Sequence, residues 1–266
     1  MKKRLVLVLA TFILAISLML VYGFFISPKH LSVKTSIIET NQIDPSLEGI
    51  SIVYFSDVYF NEFMDQERFD KVITKINKLA PDVVLFGGNL VADDFTTDEA
   101  KQDLINSLKK LEAPFGKFAV LGQLENETNS YISNIDSFYQ EANFEILNNQ
   151  VRQLYFGNEH SIQLVGLTSK DNQPKINDMW TIAFSHSPQS FNNTSYNLMI
   201  AGQTLGGQIN VPLLKDNFTH NNDPYRGTTI NNESRLDISN GIGTTQIDMR
   251  LFAPAQINQY ILKFSP

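Results

Sequence analysis

Five side chains able to hold a ligand stand at equivalent places along this chain: Asp57, Asn89, Gln123, His186 and Gln203. Each follows a short apolar run of strand length: Ile50–Phe55, Val83–Phe86, Lys117–Leu121, Trp180–Phe184 and Leu198–Ala201. A carboxylate and an imidazole can ligate metal or move protons, whereas three amides are neutral donors and acceptors suited to a polar ligand. In α/β sheets ligands gather at the carboxyl ends of strands. One polar residue there would signify little, because strands commonly end in turn formers. Five in one β-α pattern outline a site.

The motifs around them are Asp57-Val58-Tyr59, Gly88-Asn89, Gly122-Gln123-Leu124-Glu125, the lone His186, and Gly202-Gln203-Thr204-Leu205-Gly206-Gly207-Gln208. In order and spacing they resemble the D-x-H, G-D, G-N-H-[DE], H and G-H-x-H motifs of the calcineurin-like metallophosphoesterases, most closely their small membrane-anchored bacterial members. Gly241-Ile242-Gly243-Thr244 and Arg250-Leu251-Phe252-Ala253-Pro254 also look like the family's ending. The resemblance runs from about Gly49 to the C-terminus and implies a mixed α/β fold, a four-layer α/β/β/α sandwich of two mixed sheets. It also implies two divalent metals (Mn, Fe or Zn).

Carried over residue by residue, that chemistry fails. The first metal would be held by Asp57, Tyr59, Asn89 and Leu205, and the second by the two shared positions with Gln123, His186 and Gln203. Asn89 lacks the anionic oxygen that bridges two cations, and Leu205 has no lone pair. Leu124 takes the place of the histidine that would protonate the leaving group, a loss of about 10²–10⁴ in rate. Without metal nothing lowers the pKa of water from about 15.7 to about 7. The resemblance therefore implies no catalytic residue, no resident cofactor and at most one weakly held metal. Asp57, Asn89, Gln123, His186 and Gln203 remain as a polar pocket. Glu125 keeps an acidic place whose histidine is missing, and His30, His160 and His220 fall outside the motifs on loops or the surface.

Lys2, Lys3 and Arg4 precede an uncharged apolar run, Leu5–Ile26, long enough to cross a bilayer core of about 30 Å as a helix. The basic flank predicts a cytoplasmic N-terminus and an extracellular domain, which makes the lipid bilayer the first expected partner. Secretion after signal cleavage is the alternative, but no A-x-A site stands near the end of the run. The expected organisation is a basic flank (1–4), a single-pass anchor (5–26), a connector with an early strand around Leu31–Ile38 (27–48) and the phosphoesterase-like domain (49–266). The chain has 21 Lys and Arg against 28 Asp and Glu, and no cysteine. With neither a basic stripe nor thiols, nucleic-acid binding, disulfides and thiolate chemistry are excluded.

The elements that must position the site follow from periodicity. Phe69, Val72, Ile73, Ile76 and Leu79 make one stripe of a helix over Gln66–Ala80. Thr96 and Glu99 form a capping box ahead of Leu104, Ile105, Leu108 and Leu111, and a third helix is predicted over Ser130–Ala142. Alternation of strands and helices predicts a sheet with right-handed crossovers. After Asn143 the chain reads as mainly β: strands at Glu145–Leu147, Val151–Phe156 and Ser161–Leu167, a hairpin about Asn231–Ser234, a strand at Ile209–Pro212 and a last one at Ile257–Phe264. Function is expected to be binding or scaffolding at the outer membrane face by an inactive phosphoesterase-like protein, engaging a protein or a small polar ligand. The alternatives are a residual one-metal hydrolase and a partner-binding module whose surface lies away from the old site.

Overall fold

The computed structural model describes residues 2–92, 98–126, 135–157, 160–168, 171, 173–191, 196–211, 225–231 and 234–266. It opens with α1 (Lys2–Val21), continued by a π-helical turn over Tyr22–Ile26 and a 3-10 turn over Ser27–Lys29. No side chain of α1 is buried. Its 20 residues rise about 30 Å at 1.5 Å per residue, and by length and composition it suffices to cross a membrane.

The first sheet has the order β1 (Leu31–Thr40), β12 (Ala255–Phe264), β2 (Ser51–Phe55), β3 (Val83–Phe86), β4 (Lys117–Ala119), β5 (Phe144–Ile146). The early strand, β1, is integral to it, parallel to β12 from Leu31↔Ala255 to Thr40↔Phe264. β2 to β5 run parallel, joined by α2 (Gln66–Asn77), α3 (Asp98–Lys109), and the pair α4 (Gln123–Asn126) and α5 (Ile135–Glu141). α2 starts where Asp65 accepts the N–H of Arg68 at 2.8 Å, and buries Phe69, Val72, Ile73 and Ile76, the i, i+3, i+4, i+7 stripe. Thr96 of the expected capping box and residues 130–134 of the third helix lie outside the described residues.

The second sheet has the order β10 (Gly227–Asn231), β11 (Ser234–Ile238), β9 (Leu198–Ala201), β8 (Thr181–Ser185), β7 (Ser161–Leu167), β6 (Gln150–Tyr155). β7, β8, β9 and β11 are parallel, and β6 and β10 close the edges antiparallel. Alternate residues of β2 divide between two cores. Val53 and Phe55 pack under the helices, and Ile52 and Tyr54 pack between the sheets with Phe184 and Ile200. Burial on both faces is why these strands read as unbroken apolar runs. On the outer face of the second sheet, Val165, Ala183 and Met199 are covered, among the described residues, by Ile176, Phe191 and Tyr196 from non-helical segments.

One expected strand is absent. Ile209 makes only an isolated bridge to Leu251, and Pro212 lies outside the described residues. The cause is local: Leu205, Gly206, Gly207 and Gln208 all have positive φ (52, 62, 81 and 48°). Four consecutive residues with positive φ curl the chain instead of extending it,.

Candidate functional site

The parallel strands of both sheets deliver their carboxyl ends to one edge. Asp57 follows β2, Asn89 follows β3, Gln123 opens α4 after β4, His186 follows β8 and Gln203 follows β9. Backbone bonds lace the loops: Asp57 N–H donates to Gly88 O at 2.9 Å, and Gly202 N–H to His186 O at 3.0 Å. Glycines permit the close approach. A Cβ at Gly88 would strike the backbone of Gly122, and one at Gly202 would strike Ser56 Oγ.

Asp57 is fully buried. Its Oδ2 accepts from Ser56 Oγ at 2.6 Å and from the Gln203 N–H at 3.0 Å. Its Oδ1 has longer donors, Tyr59 Oη and Asn89 Nδ2, both at 3.4 Å. Asn89 Nδ2 also donates to Tyr59 Oη at 3.0 Å. Burial first, and then the Asp57 charge, push the Tyr59 phenol far above its ordinary value. It stays protonated and serves as a donor, not an anionic ligand.

His186 is buried beside this network, its Nδ1 3.8 Å from Asp57 Oδ1. The same Nδ1 lies 2.8 Å from Gly87 O. A carbonyl can only accept, so Nδ1 carries a proton toward Gly87 O,. Nε2 is buried without a hydrogen-bond partner.

Above these groups opens a cavity of about 430 Å³ lined by Tyr59, Glu62, Asn89, Gln123, Leu124, Gln203, Thr245 and Gln246. Three of the five strand-end residues thus line it, with Tyr59 and Leu124, while Asp57 and His186 lie buried and outside its lining. Leu205 is buried and contributes no donor. Another cavity, about 640 Å³ between α2 and the Pro28–Leu31 segment, contains none of these residues.

The backbone here is unusual. Asp57, Tyr59, Asn89, Gln203 and Leu205 have φ of 57, 49, 55, 70 and 52°, a region costly for residues with a Cβ. Such strain persists only where surrounding structure imposes it, and it collects at functional sites.

Two side chains with structural weight were underrated by motif reading. Glu125 accepts the N–H groups of Asn89 (2.9 Å), Leu90 (2.7 Å) and Gly122, and the hydroxyl of Tyr139 (3.1 Å). Arg250 is fully buried and donates to the carbonyls of Leu205, Ala253, Asn240, Gly241 and Gly243. Burial lowers its guanidinium to about 10, opposed by the Asp57 charge. Its signal in sequence is a lone cation inside Met249–Pro254. Of the remaining histidines, His160 pairs with Asp44 at 3.2 Å, and His220 lies outside the described residues.

The donor set does not fit a pair of divalent cations. Among the described residues no three His, Asp or Glu side chains converge. Asp57 is the one anion at the family's metal positions, and each of its oxygens already faces two donors. Neutral amides do not offset the repulsion of two metal charges.

Comparison with known proteins places this site in context. No family model matches the chain. It is 25% identical over 260 residues to the uncharacterized metallophosphoesterase YkuE of Bacillus subtilis, covering 91% of this chain and 89% of that one. It is 26% identical over 272 residues to the uncharacterized metallophosphoesterase Cj0846 of Campylobacter jejuni, covering 92% and 67%. A bovine transmembrane protein with metallophosphoesterase domain aligns at 23% identity over 290 residues, covering 99% of this chain and 64% of the relative.

Proposed function

We propose that the chain, which resembles metallophosphoesterases over about nine tenths of its length, is a membrane-anchored, catalytically silent member of the calcineurin-like family that binds at the outer face of the cell membrane. One observation carries the reading: at the family's metal and acid positions Leu205 and Leu124 offer no lone pair, and Asn89 is an amide inside a hydrogen-bonded network. What persists is the frame, a carboxyl-end cavity lined by amides and a phenol. Such a lining suits a polar, uncharged or weakly charged group recognised by hydrogen bonds. The apolar helix anchors the domain, and Lys2, Lys3 and Arg4 keep the N-terminus in the cytoplasm,.

The unpartnered Nε2 of His186 favours a second reading, a residual hydrolase with one metal held by Asp57, Asn89, Gln123, His186 and Gln203. Titration calorimetry of the full chain in detergent with Mn²⁺ and Zn²⁺, beside His186→Ala, separates the two. The silent reading expects no saturable binding and no hydrolysis of an activated aryl phosphodiester. Stoichiometric binding and hydrolysis, both lost in His186→Ala, would establish the second reading.

A further inference from the structure

The foot of the N-terminal helix is packed onto the domain. The N–H of Arg250 donates to Gly23 O at 3.0 Å. Gly23 is buried, and a Cβ there would stand 2.9 Å from both Leu251 Cδ2 and Met249 Cε. Ser27 and Pro28 are buried as well, and Arg68 donates to the carbonyls of Pro28 and Phe63 while pairing with Asp248 at 3.1 Å. The loop at 245–252 therefore lies level with the last turns of the apolar helix.

That loop and its neighbour expose large apolar side chains. Ile247 is 39% exposed, Phe252 53% and Ile209 38%. They stand beside the contacts to Gly23: Ile209 bridges to Leu251, and Gln208 Nε2 donates to the carbonyls of Thr245 (3.1 Å) and Ile247 (3.0 Å). Phe252 is held at φ 54° with its carbonyl bonded to Arg226, so a bulky ring is kept outward by a backbone conformation that is itself unfavourable. Phe25 and Ile26, at the helix foot, are 68% and 53% exposed.

We propose that Ile209, Ile247 and Phe252 form a bilayer-contact face that seats the domain in the interfacial layer around the foot of its own helix. The inference rests on the anchored reading above. Continuity with the helix selects lipid as the occupant: a surface packed against Gly23 cannot rise far from the point where the apolar segment leaves the membrane. An acidic domain gains little from anionic headgroups, so the contact is apolar, with side chains sunk at the headgroup–acyl boundary. The seat also fixes the site. Thr245 and Gln246, two and one residues before Ile247, line the 430 Å³ cavity, so its mouth opens beside the bilayer surface.

The chain has no cysteine, so single-cysteine variants carry one label each. Full-length Ile247→Cys, Phe252→Cys and Ile209→Cys would be labelled with an environment-sensitive fluorophore and reconstituted in phosphatidylcholine vesicles containing shallow doxyl lipids. Ile13→Cys in the helix reports insertion, and Tyr155→Cys, exposed at the far end of β6, reports water. Thermal melts check that each variant folds. At a boundary depth of about 5–10 Å the labels at 247 and 252 are within reach of the quencher and should lose at least about half their emission, as at position 13, while position 155 stays bright. Quenching at 13 with 247, 252 and 209 as bright as 155 overturns the seat and leaves the anchor standing. No quenching at 13 removes the anchored reading and the seat with it. Labels at 247 and 252 that ignore lipid quenchers but respond to protein density identify a second copy as the occupant, and also overturn it.

Discussion

The carboxylate of Glu125 accepts the backbone N–H of Asn89 at 2.9 Å, so the loop after β3 hangs from a side chain on α4. Glu125 also takes the N–H groups of Leu90 and Gly122 and the Tyr139 hydroxyl. The acid bonds three buried donors of the loops that build the site. The clamp ties the loops after β3 and β4 to each other and to α5.

Glu125→Ala should therefore cost roughly 3–5 kcal/mol, because several buried donors lose their acceptor together. Glu125→Gln, which retains one acceptor oxygen, should cost about half as much. Urea unfolding of the purified chain reads both, and equal costs would contradict the clamp.

Stability should fall steeply above pH 10. Burial raises the phenols of Tyr54, Tyr139 and Tyr260 well above the ordinary value, and Tyr59 likewise. A raised folded pKa leaves each contribution complete below the unfolded value of 10, and pH above 10 removes it, at up to about 1.4 kcal/mol per pH unit. Arg250 has the opposite sign: its guanidinium, lowered to about 10, is penalised by burial below that pH, and the penalty fades as pH rises. Four phenols oppose one cation, so the net change as pH rises through 10 is a loss of stability. Denaturation midpoints between pH 9 and 11 measure the slope, and Tyr59→Phe should make it shallower.

Gly23→Leu should separate helix from domain. The new side chain meets Leu251 and Met249 at contacts of 2.9 Å before its own branches are added, and overpacking of this kind costs about 1–3 kcal/mol. The expected result is unchanged membrane retention with faster proteolysis around residues 24–30. Identical digestion of the two proteins would show that the seat does not constrain the connector.

Gln203→Gly should stabilise the fold. Gln203 is held at φ 70°, which costs a residue with a Cβ about 1–2 kcal/mol, partly offset by glycine's larger loss of freedom on folding. A gain of about 0.5–1 kcal/mol in thermal or urea unfolding is expected. A loss would mean that the Gln203 amide makes a contact worth more than the strain.

Much of this was legible in the chain itself. The helical stripe of Phe69, Val72, Ile73 and Ile76 appears in α2, and the apolar runs that end near Asp57, Asn89, His186 and Gln203 are β2, β3, β8 and β9. Ile209–Pro212 misled because an apolar run reads as extended, whereas four positive-φ residues just before it turn the chain.

By itself the sequence determined what local pattern can determine. Periodicity dictates which face of each element is apolar, and residue type dictates that Leu124 and Leu205 ligate nothing. Only the tertiary structure decided that Asp57 and His186 are buried outside the lining of the polar cavity. It alone showed Glu125 holding Asn89 across 36 positions, and the loop at Met249–Leu251 packed on Gly23. Those relations join residues far apart in the chain, or rest on a left-handed backbone at Tyr59 and Leu205 that their side chains do not favour. Neither kind of information has a local period. Packing imposes both, because a buried donor must find its acceptor wherever the folded chain brings one near.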